Sequence, residues 1–215
     1  MAKMTELVFI LDRSGSMAGL ESDTIGGYNA MLAQQKLVDG EACVTTVLFN
    51  HQYILLHDRI DIKAVSPITN KEYEVGGTTA LLDAIGTTIH KIINVQKHTA
   101  EEYRADKVLF VIITDGMENS SREYDYDTVK KMVERQKNEF GWEFIFLGAN
   151  IDAIEVAGRF GIARNRAQNY HADALGVMLN FAVAGEVVEN YRKSGMVQED
   201  WNAKIEEDYA RRSKK

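Results

Sequence analysis

Two short apolar runs, each closed by an aspartate, constrain the fold of this chain more than any other feature. Leu7-Val-Phe-Ile-Leu11 stops at Asp12 and a Ser/Gly cluster, and Lys107-Val-Leu-Phe-Val-Ile-Ile-Thr114 stops at Asp115-Gly116. An uninterrupted apolar run of this length between turn residues reads as a strand buried on both faces. Such a strand needs a helical layer above and below it, which is the arrangement of a parallel α/β sheet.

The rest of the chain supplies those layers. Ile25, Tyr28, Met31, Leu32 and Lys36 fall at helical spacing, so residues 22–37 read as an amphipathic helix closed by Gly40. Residues 42–49 are β-branched and apolar. Tyr53-Ile-Leu-Leu56 follows after only three residues, too few for a parallel crossover, so this pair is expected to be an antiparallel hairpin. Residues 61–75 are irregular and hold the only proline, Pro67. Gly76-Gly77 opens a helical pattern that runs to about Val95. A charged amphipathic helix over 126–140 and a strand over 142–148 come next. A short helix over 151–160, a brief extended piece at 168–170 and a last core helix over 172–191 complete the pattern. The expected fold is α/β: a doubly wound, mostly parallel six-stranded sheet with one antiparallel edge strand and helices on both faces. Residues 1–195 read as one domain. Residues 196–215 read as a charged helical tail, acids first and bases last (Arg211, Arg212, Lys214, Lys215), solvated and frayed at its end. Trp201, Ile205 and Tyr209 lie four apart and could instead dock on the domain or on a partner helix.

Composition removes several classes of function. With 25 basic against 32 acidic residues the net charge is −7, the wrong sign for a nucleic-acid binder or a ligand of anionic membranes. No apolar run approaches the roughly 20 residues needed to span a bilayer. Charged residues interrupt the N-terminal stretch where a signal peptide would be apolar. The lone cysteine, Cys43, permits no internal disulfide and no thiolate zinc cluster, and fits a reducing compartment. The expectation is a cytoplasmic protein.

Three loops stand at the carboxyl ends of expected parallel strands or enter the helices beside them: Asp12-Arg13-Ser14-Gly15-Ser16, Gly76-Gly77-Thr78-Thr79 and Thr114-Asp115-Gly116. In open α/β sheets such loops converge on the crevice where ligands bind. Everything they offer is hard oxygen, which favours Mg²⁺, Mn²⁺ or Ca²⁺ over zinc or copper. Neutral hydroxyl ligands leave much of the cation's charge uncompensated, so the site can accept an acidic group from outside.

Asp12-x-Ser14-x-Ser16, a Thr after Gly-Gly, and the Asp of Thr-Asp-Gly together resemble the metal-ion-dependent adhesion site of von Willebrand factor type A domains, the family that includes integrin I domains. The resemblance covers residues 4–190. It implies that Ser14, Ser16 and Thr79 are hydroxyl ligands of the cation, Mg²⁺ above all, and that Asp12 and Asp115 bind it directly or through water. It also implies that a partner's Asp or Glu completes the coordination. Thr79 is preferred over Thr78 because the family's Thr precedes the small or acidic helix position, here Asp83, by four residues; Thr78 is the alternative. The chain is most similar to stand-alone bacterial type A domains that serve intracellular complexes. In I domains the last helix shifts when the site is occupied, which would here involve residues 172–191.

The expected function is therefore a non-enzymatic, cation-dependent protein-binding module. The competing reading is a Mg²⁺-dependent hydrolase or phosphotransferase, because an Asp at a strand end beside Mg²⁺ also serves phosphoryl transfer. Position 14 is Ser and not a second Asp, and no Gly-x-x-x-x-Gly-Lys-Ser/Thr loop is present. Other polar residues take ordinary roles. Cys43 reads as a small core residue, the five scattered histidines as solvated or satisfied, and Asp152 as a first-turn acid. Arg13 reads as solvent-exposed, although it could meet an incoming carboxylate. Glu118 to Ser121 either line the mouth of the site or form a polar turn.

Overall fold

A computed structural model describes residues 4–213. Six strands form one sheet: β1 (Thr5–Asp12), β2 (Ala42–Phe49), β3 (Tyr53–Asp61), β4 (Lys107–Thr114), β5 (Glu143–Gly148) and β6 (Ala167–Asn169). Their order is β3-β2-β1-β4-β5-β6. Only the β2–β3 edge pair is antiparallel; β1 pairs in parallel with both β2 and β4, and β4–β5 and β5–β6 continue in parallel. The expected six-stranded sheet with one antiparallel edge strand is therefore present. β1 and β2 are buried along their whole length, which is why they carry continuous rather than alternating apolar sequence.

Six helices cover the sheet: α1 (Glu21–Gln35), α2 (Leu81–His98), α3 (Tyr126–Phe140), α4 (Ala153–Arg159), α5 (Ala174–Ser194) and α6 (Ala203–Arg212). Alternate residues of β1 divide the core. Leu7, Phe9 and Leu11 join Tyr28 of α1, Phe181 of α5 and Ile205 of α6, whereas Val8 and Ile10 join Ile85 of α2, Val129 of α3 and Ala157 of α4. The period of two along the strand thus places three helices on each face. No helix among the described residues is long and apolar enough to cross a membrane.

Several elements differ from the sequence reading. The Gly76-Gly77 pair does not open α2, which starts at Leu81; Gly76 to Ala80 form a loop in which both glycines have positive φ. β3 runs five residues past Leu56, through a register irregularity against β2 that sets Arg59 at φ 51°. The tail docks on the domain through its apolar residues, as the alternative reading allowed, while most of its charged side chains stay exposed. Trp201 and Ile205 are buried in the core on the α1–α5 face, and the Trp201 indole N–H donates to the Asn165 carbonyl at 2.8 Å. Tyr209 stacks on His171 at 4.6 Å, and Arg212 bridges Asp173 and Asp208. Trp201 just before α6, with Ile205 and Tyr209 on it, buries more surface by docking than by fraying into water. Lys214 and Lys215, at the basic end of the expected tail, lie outside the described residues.

Candidate metal centre

The strand order reverses at β1, whose neighbours β2 and β4 lie on either side. Asp12 ends β1, and Asp115 directly follows β4. Leu11 pairs with Ile113, so the two chains leave the sheet side by side and their aspartates meet at the topological switch point. Distant parts of the sequence are brought together by topology alone.

The Asp12 carboxylate is turned inward to organise the loop. Its Oδ1 accepts the Ser14 amide at 2.7 Å and its Oδ2 accepts the Thr114 hydroxyl at 2.5 Å. The Tyr73 phenol donates to its backbone carbonyl. That side-chain-to-amide bond two residues on is an Asx turn. It leaves Ser14 and Ser16 on one side of the loop, with their hydroxyl oxygens 3.0 Å apart. Ser16 Oγ in turn donates to Asp115 Oδ1 at 2.5 Å.

Thr79 joins them from the third loop. A Cβ built on Gly116 would stand 3.0 Å from Ser16 Oγ, 3.3 Å from Thr79 Oγ1 and 3.9 Å from Ser14 Oγ. Three hydroxyls therefore converge on the backbone at Gly116, beside the Asp115 carboxylate. Thr78 is exposed and takes no part in this convergence, whereas Thr79 is buried. The loops are tied to one another by backbone bonds, Gly15 N–H to the Gly77 carbonyl at 3.0 Å and Gly76 N–H to the Arg13 carbonyl at 2.9 Å. A side chain at Gly77 would collide with the His51 ring, and its φ of 77° also requires glycine.

The crevice gathers buried acid. Burial pushes the Asp115 carboxyl up to about 6, against the lowering effect of the Ser16 hydroxyl, and the neighbouring Asp12 raises it further. Burial also raises Asp12, partly offset by its bonds to Thr114 and Ser14. Asp115 Oδ2 is buried and has no hydrogen-bond partner among the described residues. Two buried acids close together with a free lone pair are unfavourable unless a cation joins them. No group of three or more His, Cys, Asp or Glu side chains shares such a place among the described residues, so a cation here would rest largely on hydroxyl oxygen. Two carboxylates, one of them with an orphaned oxygen, and three hydroxyls fit a hard divalent ion.

Several supporting residues receive their partners only in the fold. Asn119 clamps Thr79 twice, its Oδ1 accepting the Thr79 amide at 2.9 Å and its own amide donating to the Thr79 carbonyl at 3.0 Å. Glu118 accepts the Leu82 amide at 2.9 Å and those of Ser120 and Ser121, and Asp83 accepts the amides of residues 122 to 124, so this polar turn holds the start of α2. Arg13 is 7% exposed rather than solvated. Its guanidinium is fixed on the Glu74 carbonyl at 2.9 Å and Gln52 Oε1 at 3.3 Å. Asp152 is the N-cap of α4, accepting the amides of Ile154 and Glu155.

No family model matches the chain, and no curated protein matches it in sequence. Its architecture is matched by solved structures. A von Willebrand factor type A protein from Catenulispora acidiphila superposes with a TM-score of 0.58 at 14% identity, over 88% of this chain and 43% of that one. The fold is that of a von Willebrand factor type A domain. Proximal thread matrix protein 1 of the mussel byssus, with zinc occupying its metal-ion-dependent adhesion site, gives 0.58 at 12% identity over 87% and 46% of the two chains. The manganese-loaded TRAP protein of Plasmodium vivax gives 0.57 at 18% identity over 83% and 72%. The chain thus spans less than half the length of the first two. At these identities the likeness establishes the type A fold, and the chemistry must come from this chain's own residues.

Proposed function

We propose that this chain is a divalent-cation-dependent binding module. Ser14, Ser16 and Thr79 supply hydroxyl oxygens to the ion, Asp115 a carboxylate, and Asp12 either a carboxylate or the frame that presents the two serines. The observation that carries this reading is the convergence of three hydroxyls from two loops on Gly116, beside an Asp115 oxygen that is buried without a partner. The neighbours that hold zinc or manganese support a divalent ion, and the all-oxygen donor set favours Mg²⁺ among them. With both Asp12 oxygens held by Ser14 and Thr114, an ion contacted directly by the Asp115 carboxylate alone keeps a net positive charge, so the external ligand is an Asp or Glu of a partner protein. The chain acts without catalysing a reaction, as a cytoplasmic component of an intracellular complex comparable to stand-alone bacterial type A domains. The single buried thiol, Cys43, is in keeping with a reducing compartment.

Calorimetric titration with Mg²⁺ and Mn²⁺ tests the ion, and pull-down from native lysate in Mg²⁺, in EDTA and with Asp12→Ala tests its use. The reading expects saturable cation binding by the wild type, lost in Asp115→Asn, and partners retained only by the wild type in Mg²⁺. Partner retention unaffected by EDTA and by Asp12→Ala would overturn it.

A further inference from the structure

At the opposite edge of the sheet, where β4 and β5 begin, a cavity of about 590 Å³ opens between the last turns of α2 and α3. Strands of eight residues separate this edge from the aspartates by roughly 25 Å. The volume lies within the range of small-molecule sites, on the order of 300–1,000 Å³. Trp142, Phe140, Ile93 and Ala105 give it an apolar wall, with Trp142 stacked on Phe110 at 5.6 Å and thereby held in place.

Two carboxamides line the wall, and one of them has an unsatisfied buried donor. Gln136, 3% exposed, lines the same wall. Gln96 Nε2 is buried and has no hydrogen-bond partner among the described residues. A buried amide without a partner costs about 1–3 kcal/mol, so Gln96 Nε2 facing this cavity is a standing demand for an acceptor from a ligand. The charged part of the lining is wholly cationic, Lys97, Arg104 and Arg135, in a chain whose net charge is −7. Lys97 stands in the last turn of α2, where a cation offsets the terminal carbonyls, and Arg135 pairs with Glu139. Arg104 belongs to no helix. Only its Nε is engaged, on the Thr99 carbonyl at 2.8 Å, which leaves its terminal nitrogens available.

We infer that this cavity is a second ligand site, independent of the cation, for a small organic anion with a planar apolar body: the ring packs against the Trp142 wall, polar edge atoms pair with Gln96 and Gln136, and a phosphate or carboxylate meets Arg104. Guanidinium nitrogens held in a fork suit either anion.

Isotope-edited NMR reads the site directly through the side-chain amide signals of Gln96 and Gln136 and the indole N–H of Trp142. The probes are AMP against adenosine for the phosphate class, and naphthalene-1-carboxylate against its carboxamide for the carboxylate class. The inference expects at least one anion to shift those signals saturably in the millimolar range, with its neutral counterpart weaker by roughly tenfold or more. The exposed substitution Arg104→Glu should abolish that preference, while EDTA and Asp12→Ala should leave it intact. Four results would overturn it: no saturable shift with either anion, equal binding of the neutral counterpart, an unchanged preference in Arg104→Glu, or loss of binding in EDTA.

Discussion

Glu6 near the start of β1 and Asp115 just past the end of β4 are both withdrawn from water, at 0% and 1% exposure, yet their surroundings are opposite. Glu6 is saturated: Arg59 Nε donates to it at 2.7 Å, Thr45 Oγ1 at 3.0 Å and the Cys43 thiol at 3.1 Å. The bulge in β3 serves this pairing, because it turns Arg59 to reach across β2 to the neighbouring strand. Asp115 receives one hydroxyl on Oδ1 and nothing on Oδ2. Both are buried carboxylates, so burial alone does not mark a functional acid. The unfilled lone pair does, since a structural carboxylate has its charge met within the fold and a ligand carboxylate waits for something outside it.

Breaking the saturated side should have the largest effect. Arg59→Ala removes the only cation paired with Glu6 among the described residues and leaves a buried charge uncompensated. The expected loss is about 3 kcal/mol of stability by urea denaturation, with the response to cations retained. A loss of cation response with stability intact would invert the comparison between the two acids.

The unsaturated side should respond to an ion instead. Mg²⁺ at a hundred times its dissociation constant should stabilise the wild type by about 2.7 kcal/mol. Asp115→Asn should abolish that gain. In EDTA the same substitution should stabilise the chain at neutral pH, because it deletes a buried charge that has no counter-ion. An Asp115→Asn variant that unfolds more easily than wild type in EDTA would show that the carboxylate is satisfied in the absence of metal.

A third effect follows from protons. The Asp115 carboxyl titrates at about 6 in the folded chain against an ordinary 3.8. Between those values the folded chain holds more protons than the unfolded one, so without metal its stability falls as pH rises from about 4 to 6, by on the order of 1–2 kcal/mol. Cation affinity runs the other way, rising across the same window because the ion must displace that proton. Thermal melts in EDTA and cation titrations at several pH values check both slopes, and Asp115→Asn should flatten both.

The sequence revealed these two acids unequally. Asp115 was legible because it closes the most apolar stretch of the chain and sits in a motif whose other parts recur at expected strand ends. The sheet was legible for the same reason, as each strand is a contiguous run and each helix a contiguous period. Glu6 was not, because its meaning lies in Arg59, fifty-three positions away and aimed by a bulge that no local pattern announces. Cys43 reads as a core residue from its strand alone, and only the register with β1 shows its thiol donating to Glu6. Arg13 reads wrongly as solvent-exposed for the same reason, and Asn119 is placed in a mouth-lining segment or polar turn without its partner. Each is polar, lies in a loop, and is given its partners by the meeting of loops rather than by its neighbours in sequence.

The smallest effect separates ligands from the residues that hold them. Thr79 presents its hydroxyl beside Gly116, whereas Thr78, one position earlier, faces solvent. Thr79→Ala should therefore weaken cation binding and Thr78→Ala should not. Asn119→Ala deletes only the side-chain bond to the Thr79 amide and keeps the backbone bond between the two residues. One neutral hydrogen bond is worth about 0.5–1.5 kcal/mol, so cation affinity should fall by roughly threefold to tenfold. A residue that acts through Thr79 adds nothing once Thr79 has lost its hydroxyl. The double variant Thr79→Ala/Asn119→Ala should then bind no more weakly than Thr79→Ala alone, and additive losses in that cycle would place Asn119 in direct contact with the ion's surroundings.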